Sequence, residues 1–160
     1  MRAQGLVVTT QVLRVQMHGM IKRVADSMGF AAGVRALRLE RVRVVNDHPV
    51  AHQVSWIAEP YAEWLCGEDF SRTPLYVALA GCGVRVASAG EVIRPQLLPA
   101  SLAPLLRRAP GSPVFVSERV SRDADAVPIV HDTAVIDGHR MRVHADRVAG
   151  GMSLAWKPAK

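Results

Sequence analysis

Arg41 and Arg43 stand two residues apart in the run Leu37-Arg-Leu-Glu-Arg-Val-Arg-Val-Val45. In a β-strand that spacing puts both guanidiniums on one face. A planar fork of N–H donors suits phosphate or carboxylate, so the chemistry on offer is anion recognition. The same alternation sets Leu37 and Leu39 on the face that Arg41 and Arg43 continue. Arg38 and Glu40 share the other face with Val42 and Val44. The apolar side therefore swaps halfway along. Either a bulge re-aims the chain, or the core face runs on into a basic pocket. A third reading makes the arginines an ion-paired couple on an edge strand.

Other chemistries find little support. His48 and His52 are four apart, but Pro49 between them excludes a helical metal-binding face. His131, Asp132, His139 and His144 match no familiar ligand spacing. Cys66 and Cys82 lack a CxxC arrangement and read as two reduced cysteines of a cytosolic protein. Ser55, Ser88, Ser117 and Ser121 lack a GxSxG context. Gly81-Cys-Gly83 lacks the Lys-Ser/Thr of a phosphate loop. No metal and no cofactor is expected.

A chain of 160 residues fits a single domain. At that size folding buries roughly two-thirds of the unfolded surface, so the core needs no disulfide or metal. The net charge is +6, but seventeen arginines and three lysines are scattered without a basic run. Aromatic residues make up only 5% of the chain, which argues against a stacking platform for nucleic acid. No apolar run approaches the ~18 residues of a membrane span. The start, Met1-Arg-Ala-Gln-Gly, lacks the features of a secretory leader. These points lead us to expect a cytoplasmic protein without membrane contact.

The arginines need a scaffold. Val7 to Gln16 reads as a strand, and Met20, Ile21, Val24, Ala25 and Met28 form the apolar face of a helix over Met17 to Met28. Gly29 is placed to end that helix. Asn46-Asp-His-Pro49 joins the arginine strand to Val50 to Ile57 in a hairpin. Pro60 to Leu65 reads as a short helix. Thr73 is placed as the N-cap, and Pro74 as the first residue, of a helix running to about Ala80. Val84 to Arg94 reads as a strand, Pro99 to Arg108 as a helix, and Pro113 to Arg122 as a strong strand. Val127 to Ile136 and His139 to Val148 are expected to pair around Asp137-Gly138. Residues 149–160 show no period and read as a fraying tail. The fold class is α+β: an antiparallel sheet of about six strands with short helices packed on it.

Several landmarks resemble, in order, the effector-binding UTRA domain of GntR-type bacterial transcription regulators of the HutC subfamily. They are Val24-Ala-Asp-Ser-Met-Gly29, Arg41-Val-Arg-Val-Val-Asn-Asp-His-Pro49-Val, Leu75-Tyr76 with Leu79, Pro113-Val-Phe-Val-Ser-Glu-Arg119, and Asp125-Ala-Val-Pro-Ile129 followed by Asp137-Gly138-His-Arg140. The match runs over residues 1–148. The resemblance implies a chorismate-lyase-like fold, a homodimer, and a small anionic metabolite as ligand. It also implies DNA binding through a winged helix-turn-helix domain that residues 1–160 do not contain.

By the same resemblance the effector-binding positions are Arg41, Arg43, Gln53, Thr73, Arg119, Val130, Ile136 and Arg140. Gln53 stands where sugar-phosphate-sensing relatives place a glutamate, and Thr73 or Pro74 where they use a serine. Val130 replaces a glutamate and Ile136 an aromatic. The anion end of the site is thus kept and the sugar-reading end changed. Regulators of phosphonate metabolism look similar around Val116-Ser-Glu118. A phosphate-, phosphonate- or carboxylate-bearing effector is the expectation. A chorismate-lyase-like enzyme, with Glu91 or Glu118 as its carboxylate, and an interaction module with a vestigial pocket are the alternatives.

Overall fold

The computed structural model describes residues 7–148 and 151–159. The strands are β1 (Val8–Gly19), β2 (Arg35–Val45), β3 (His48–Ala58), β4 (Ser88–Leu97), β5 (Pro113–Arg122), β6 (Pro128–Asp137), β7 (Met141–Val148) and β8 (Gly151–Pro158). The helices are α1 (Lys22–Met28), α2 (Tyr61–Leu65), α3 (Leu75–Gly81) and α4 (Ala103–Leu106). Six strands form one antiparallel sheet in the order β1-β2-β3-β6-β5-β4, and β7 and β8 form a separate two-stranded ribbon.

Both faces of the sheet are covered in part. Leu37, Leu39, Ile57 and Val130 pack against Ala62 and Leu65 of α2 and Leu75, Ala78 and Leu79 of α3. On the other face, Ala36, Trp56 and Ala58 meet Val24, Ala25 and Met28 of α1. Val114, Val116 and Val135 meet Ala103 and Leu106 of α4 on that same face. The segment after β3 carries α2 and α3 over the first face before the chain returns as the edge strand β4.

Short-range signals act as the sequence implies. Gly29 ends α1 at φ 72°, a left-handed conformation that glycine adopts without a Cβ penalty. Asn46 (φ 47°) and Asp47 (φ 64°) turn β2 into β3, the positive-φ pair of a tight hairpin. Strand β5 covers Pro113–Arg122, as expected.

Four expectations are corrected. The helix expected from Met17 begins at Lys22, because β1 continues to Gly19 in register with β2. Thr73 is not the cap of α3: Pro74 holds that position, with no side-chain capping bond. The Thr73 backbone N–H is already used, donating to the Asp69 carbonyl at 2.9 Å. Asp137-Gly138 does not close a β6–β7 hairpin; β6 pairs with β3 and β5, and β7 pairs with β8. Gly138 lacks the positive φ of a tight hairpin turn. A Cβ there would lie 2.9 Å from the Pro113 carbonyl oxygen, so glycine is needed for close approach. Finally, residues 151–158 of the supposed tail form β8, anchored where Trp156 meets Phe115 with ring centroids 5.6 Å apart.

Candidate functional site: a buried arginine cluster around Asp132

The phase change at Arg41 is resolved by its neighbours. Strand β2 has no extra residue; the shifts lie at Leu13 of β1 and Val50 of β3, each left without a partner in β2. Arg41 therefore follows Leu37 and Leu39 onto the core face. It is 1% exposed, the largest side chain in the fully buried set.

Strand register gathers the partners. Arg41 lies opposite Gln53, and Leu39 opposite Ser55. Ser55 lies opposite Asp132, which in turn lies opposite Arg119 on β5. Side chains at these positions share one face, so Ser55, Asp132 and Arg119 form a row across three strands. Tyr76 reaches this row from α3, on the neighbouring helix layer.

Asp132 is the common acceptor. Its Oδ1 receives Gln53 Nε2 at 2.9 Å and the Ser55 hydroxyl. Its Oδ2 receives Tyr76 Oη at 2.9 Å and Arg119 Nη2 at 2.8 Å. Arg119 also donates to Tyr76 Oη at 3.1 Å and lies over its ring, 5.4 Å from the centroid. With its one proton on Asp132, the Tyr76 oxygen accepts from Arg119 and from Ser121, whose Oγ is 2.9 Å away. Arg41 Nη2 donates to Ser55 Oγ at 2.8 Å, and Arg43 Nη1 to Thr10 Oγ1 at 2.8 Å. The Nε atoms of Arg41 and Arg119 are buried and have no hydrogen-bond partner among the described residues.

The charges shape one another. Burial pushes the Asp132 carboxyl up, but the Arg119 guanidinium and the Ser55, Arg119 and Tyr76 donors more than offset it, and the group ends below the usual carboxylate range. Burial, reinforced by the Arg43 charge and opposed by Asp132, lowers Arg41 to about 10. Arg43 is lowered by burial and partly restored by Asp132. Burial and the Asp132 charge raise Tyr76 to about 12. Arg119 is raised: burial opposes its charge, and Asp132 outweighs that. All three guanidiniums remain cationic at neutral pH. They face one deeply buried carboxylate, with Glu91 bonded to Ser117 at the outer edge.

The structure thus brings Arg41, Arg43, Gln53 and Arg119 together. Val130 lies on the same face but inside the apolar cluster beneath α2 and α3. Ile136 belongs to another cluster, with Val45, Val50 and Met141. Arg140 stands apart from Asp132: its Nη1 lies 3.5 Å from Asp137, which also accepts from Arg108 Nε at 2.7 Å. Thr73 precedes α3 and is half-buried. Sequence reasoning missed Asp132, Ser55, Ser121 and Thr10. One signal was available: Asp132 is the only charged residue among the alternate positions Val130, Asp132, Ala134 and Ile136 of β6.

Two cavities lie away from this cluster, one of about 380 Å³ beside Leu97 and Phe115, the other of about 320 Å³ on the opposite sheet face. No described helix is long and apolar enough to cross a membrane.

The UTRA domain family model matches residues 3–142. The effector domain of PhnF from Mycobacterium smegmatis is similar at 25% identity and a TM-score of 0.81, over 88% of this chain and 87% of that one. A longer PhnF structure from the same organism gives 25% identity and a TM-score of 0.85, over 92% of this chain and 66% of that one, so this chain spans just under two-thirds of its length. A GntR-family transcriptional regulator from Bacillus cereus shares the fold at 11% identity and a TM-score of 0.77, over 88% of this chain and 99% of that one. Domains of this kind serve non-enzymatic regulators, which removes the chorismate-lyase-like activity as an alternative. From its sequence match and its six-stranded antiparallel sheet, this chain belongs to the UTRA family, the ligand-sensing regulatory domains of GntR-type transcription regulators.

Proposed function

We propose that this domain senses a small anion bearing a phosphate, phosphonate or carboxylate group, held by Arg41, Arg43 and Arg119. The observation that carries this reading is Arg41 itself. It is a fully buried cation bonded to a neutral hydroxyl, with an unpartnered Nε. A buried charge without a counter-charge is costly, and an entering anion would relieve that cost. Gln53 and Tyr76 already bond to Asp132, so they are placed to read the rest of the ligand. Thr73, at the mouth of α3, and Arg140, nearer the ribbon, are outer positions in this scheme, and Val130 and Ile136 are its apolar boundary.

Tyr76 links α3 to the sheet through Asp132. An anion that draws Arg119 from Asp132 would loosen this link and favour a second arrangement of α3. The effector would then act by preferring one arrangement over the other. In this reading the domain works in a cytoplasmic bacterial regulator of HutC type, as a homodimer. Its DNA contacts come from a winged helix-turn-helix domain outside residues 1–160. The long exposed edge β4, with Leu97 71% exposed, supports an association surface.

The test is thermal shift with orthophosphate, methylphosphonate and malonate, on the parent chain and on Arg43→Gln. The reading expects a saturable rise in Tm for at least one anion, lost in Arg43→Gln. A rise that persists unchanged in that variant overturns it. Absence of any rise favours the interaction module with a vestigial pocket, because the cluster then merely satisfies itself. Light scattering on the chain reports the dimer.

A further inference from the structure

We infer that the opposite face of the sheet carries a second binding site, for a ligand with a flat apolar body and a single anionic head. The site is the 320 Å³ groove between β1, the central strands and α1. That volume lies near the lower end of ligand-binding cavities, roughly 300–1,000 Å³. Its floor is apolar, built from Val54 and Trp56 of β3, and Ile21 extends the apolar surface at the rim, where it is exposed. Arg14, Arg23 and Arg38 surround that floor, and none of the described residues that line the groove is a carboxylate.

The cations are under-compensated. Arg38 shares Glu40 with His52, at 2.7 and 2.8 Å. Arg23 shares Glu118 with Arg94, which lies 3.1 Å from it. Among the described residues Arg14 forms no ion pair. Four arginines therefore face two carboxylates, which flank the groove on the same sheet face, Glu40 opposite Val54 and Glu118 opposite Thr133. Arg38 lies over the Trp56 ring, 5.9 Å from the centroid, which fixes its guanidinium at the edge of the apolar floor. An apolar body on Val54 and Ile21 would place its anionic head among these guanidiniums. The two sites alternate along the same strands: Gln53 and Ser55 face the Asp132 cluster, whereas Val54 and Trp56 face the groove. A ligand in the groove would thus bear on the strand that holds the first site.

Isothermal titration of the full chain with 2-naphthoate, and with neutral 2-naphthamide, tests this. Saturable naphthoate binding is expected, with naphthamide about tenfold weaker or worse because its head carries no charge. Arg14→Glu should weaken naphthoate about fivefold or more, and Arg72→Gln, at an exposed position away from the groove, should leave it unchanged. Arg14 is exposed on the edge strand β1, and Arg14→Gln, which sets no like charge opposite Glu40, should weaken naphthoate in the same direction. Equal binding of the two compounds, indifference to Arg14→Glu, or no binding up to about 5 mM overturns the site. Loss of naphthoate in Arg43→Gln places the binding on the other face and overturns it as well.

Discussion

Arg41 and Asp132 are linked through Ser55, which accepts from Arg41 Nη2 at 2.8 Å and donates its own proton to Asp132. The single hydroxyl passes polarisation between a buried cation and a buried anion but leaves Arg41 without a carboxylate of its own. The closest ion pair of Asp132 is with Arg119, at 2.8 Å. Four predictions follow from this division of charge and from the backbone around it.

Arg41→Met should hold or raise stability, by about 1–2 kcal/mol, since an apolar side chain of similar length removes an uncompensated buried charge. Anion-dependent stabilisation should disappear in the same variant. Urea denaturation with and without orthophosphate reads both effects, and a marked loss of stability would show that Arg41 serves the fold.

Asp132→Asn should destabilise the domain by about 3 kcal/mol, toward the lower end for a broken buried pair because Arg119 is partly exposed. Equilibrium urea unfolding measures it. A change within ~0.5 kcal/mol, the range of ordinary surface substitutions, would remove Asp132 from its place at the centre of the cluster.

The pH profile should have two limbs. The folded Asp132 carboxyl is depressed, so its contribution is present above the unfolded value of about 4 and is lost as pH falls through the folded one. The Tyr76 hydroxyl is raised to about 12. Its contribution is complete below the unfolded value of about 10 and is lost as pH rises toward the folded one. Stability measured across pH should keep a smaller acid limb in Asp132→Asn, the remainder coming from the depressed Glu40 and Glu118 carboxyls, and should flatten between pH ~10 and ~12 in Tyr76→Phe.

Gly138→Ala should cost about 1–3 kcal/mol, as its Cβ would press on the Pro113 carbonyl oxygen at 2.9 Å. Differential scanning calorimetry reads the lowered Tm. An unchanged Tm would show that the β6–β7 corner can shift at little cost.

Local chemistry was legible in the sequence. Gly29 ends α1 and Asn46-Asp47 turns the β2–β3 hairpin because left-handed backbone favours those residue types. The apolar periods of β2 and β5, and the shared face of Arg41 and Arg43, follow from strand alternation alone. The ordered landmarks named the family as well. Where a local rule failed, a distant segment had intervened: register with β2 kept His18 and Gly19 in a strand, and Pro113 set the backbone at Gly138.

The cluster itself needed tertiary structure. Ser55 and Asp132 are 77 residues apart, and Tyr76 and Asp132 are 56 apart. Asp132 reads in sequence as one acid beside a histidine. Its role comes from β6 entering the sheet between β3 and β5, with a register that sets Ser55 on one side and Arg119 on the other. The sequence determined that two arginines share a strand face. Only the packed sheet decided which carboxylate they face, because non-local strand order and register are set by the joint burial of many side chains.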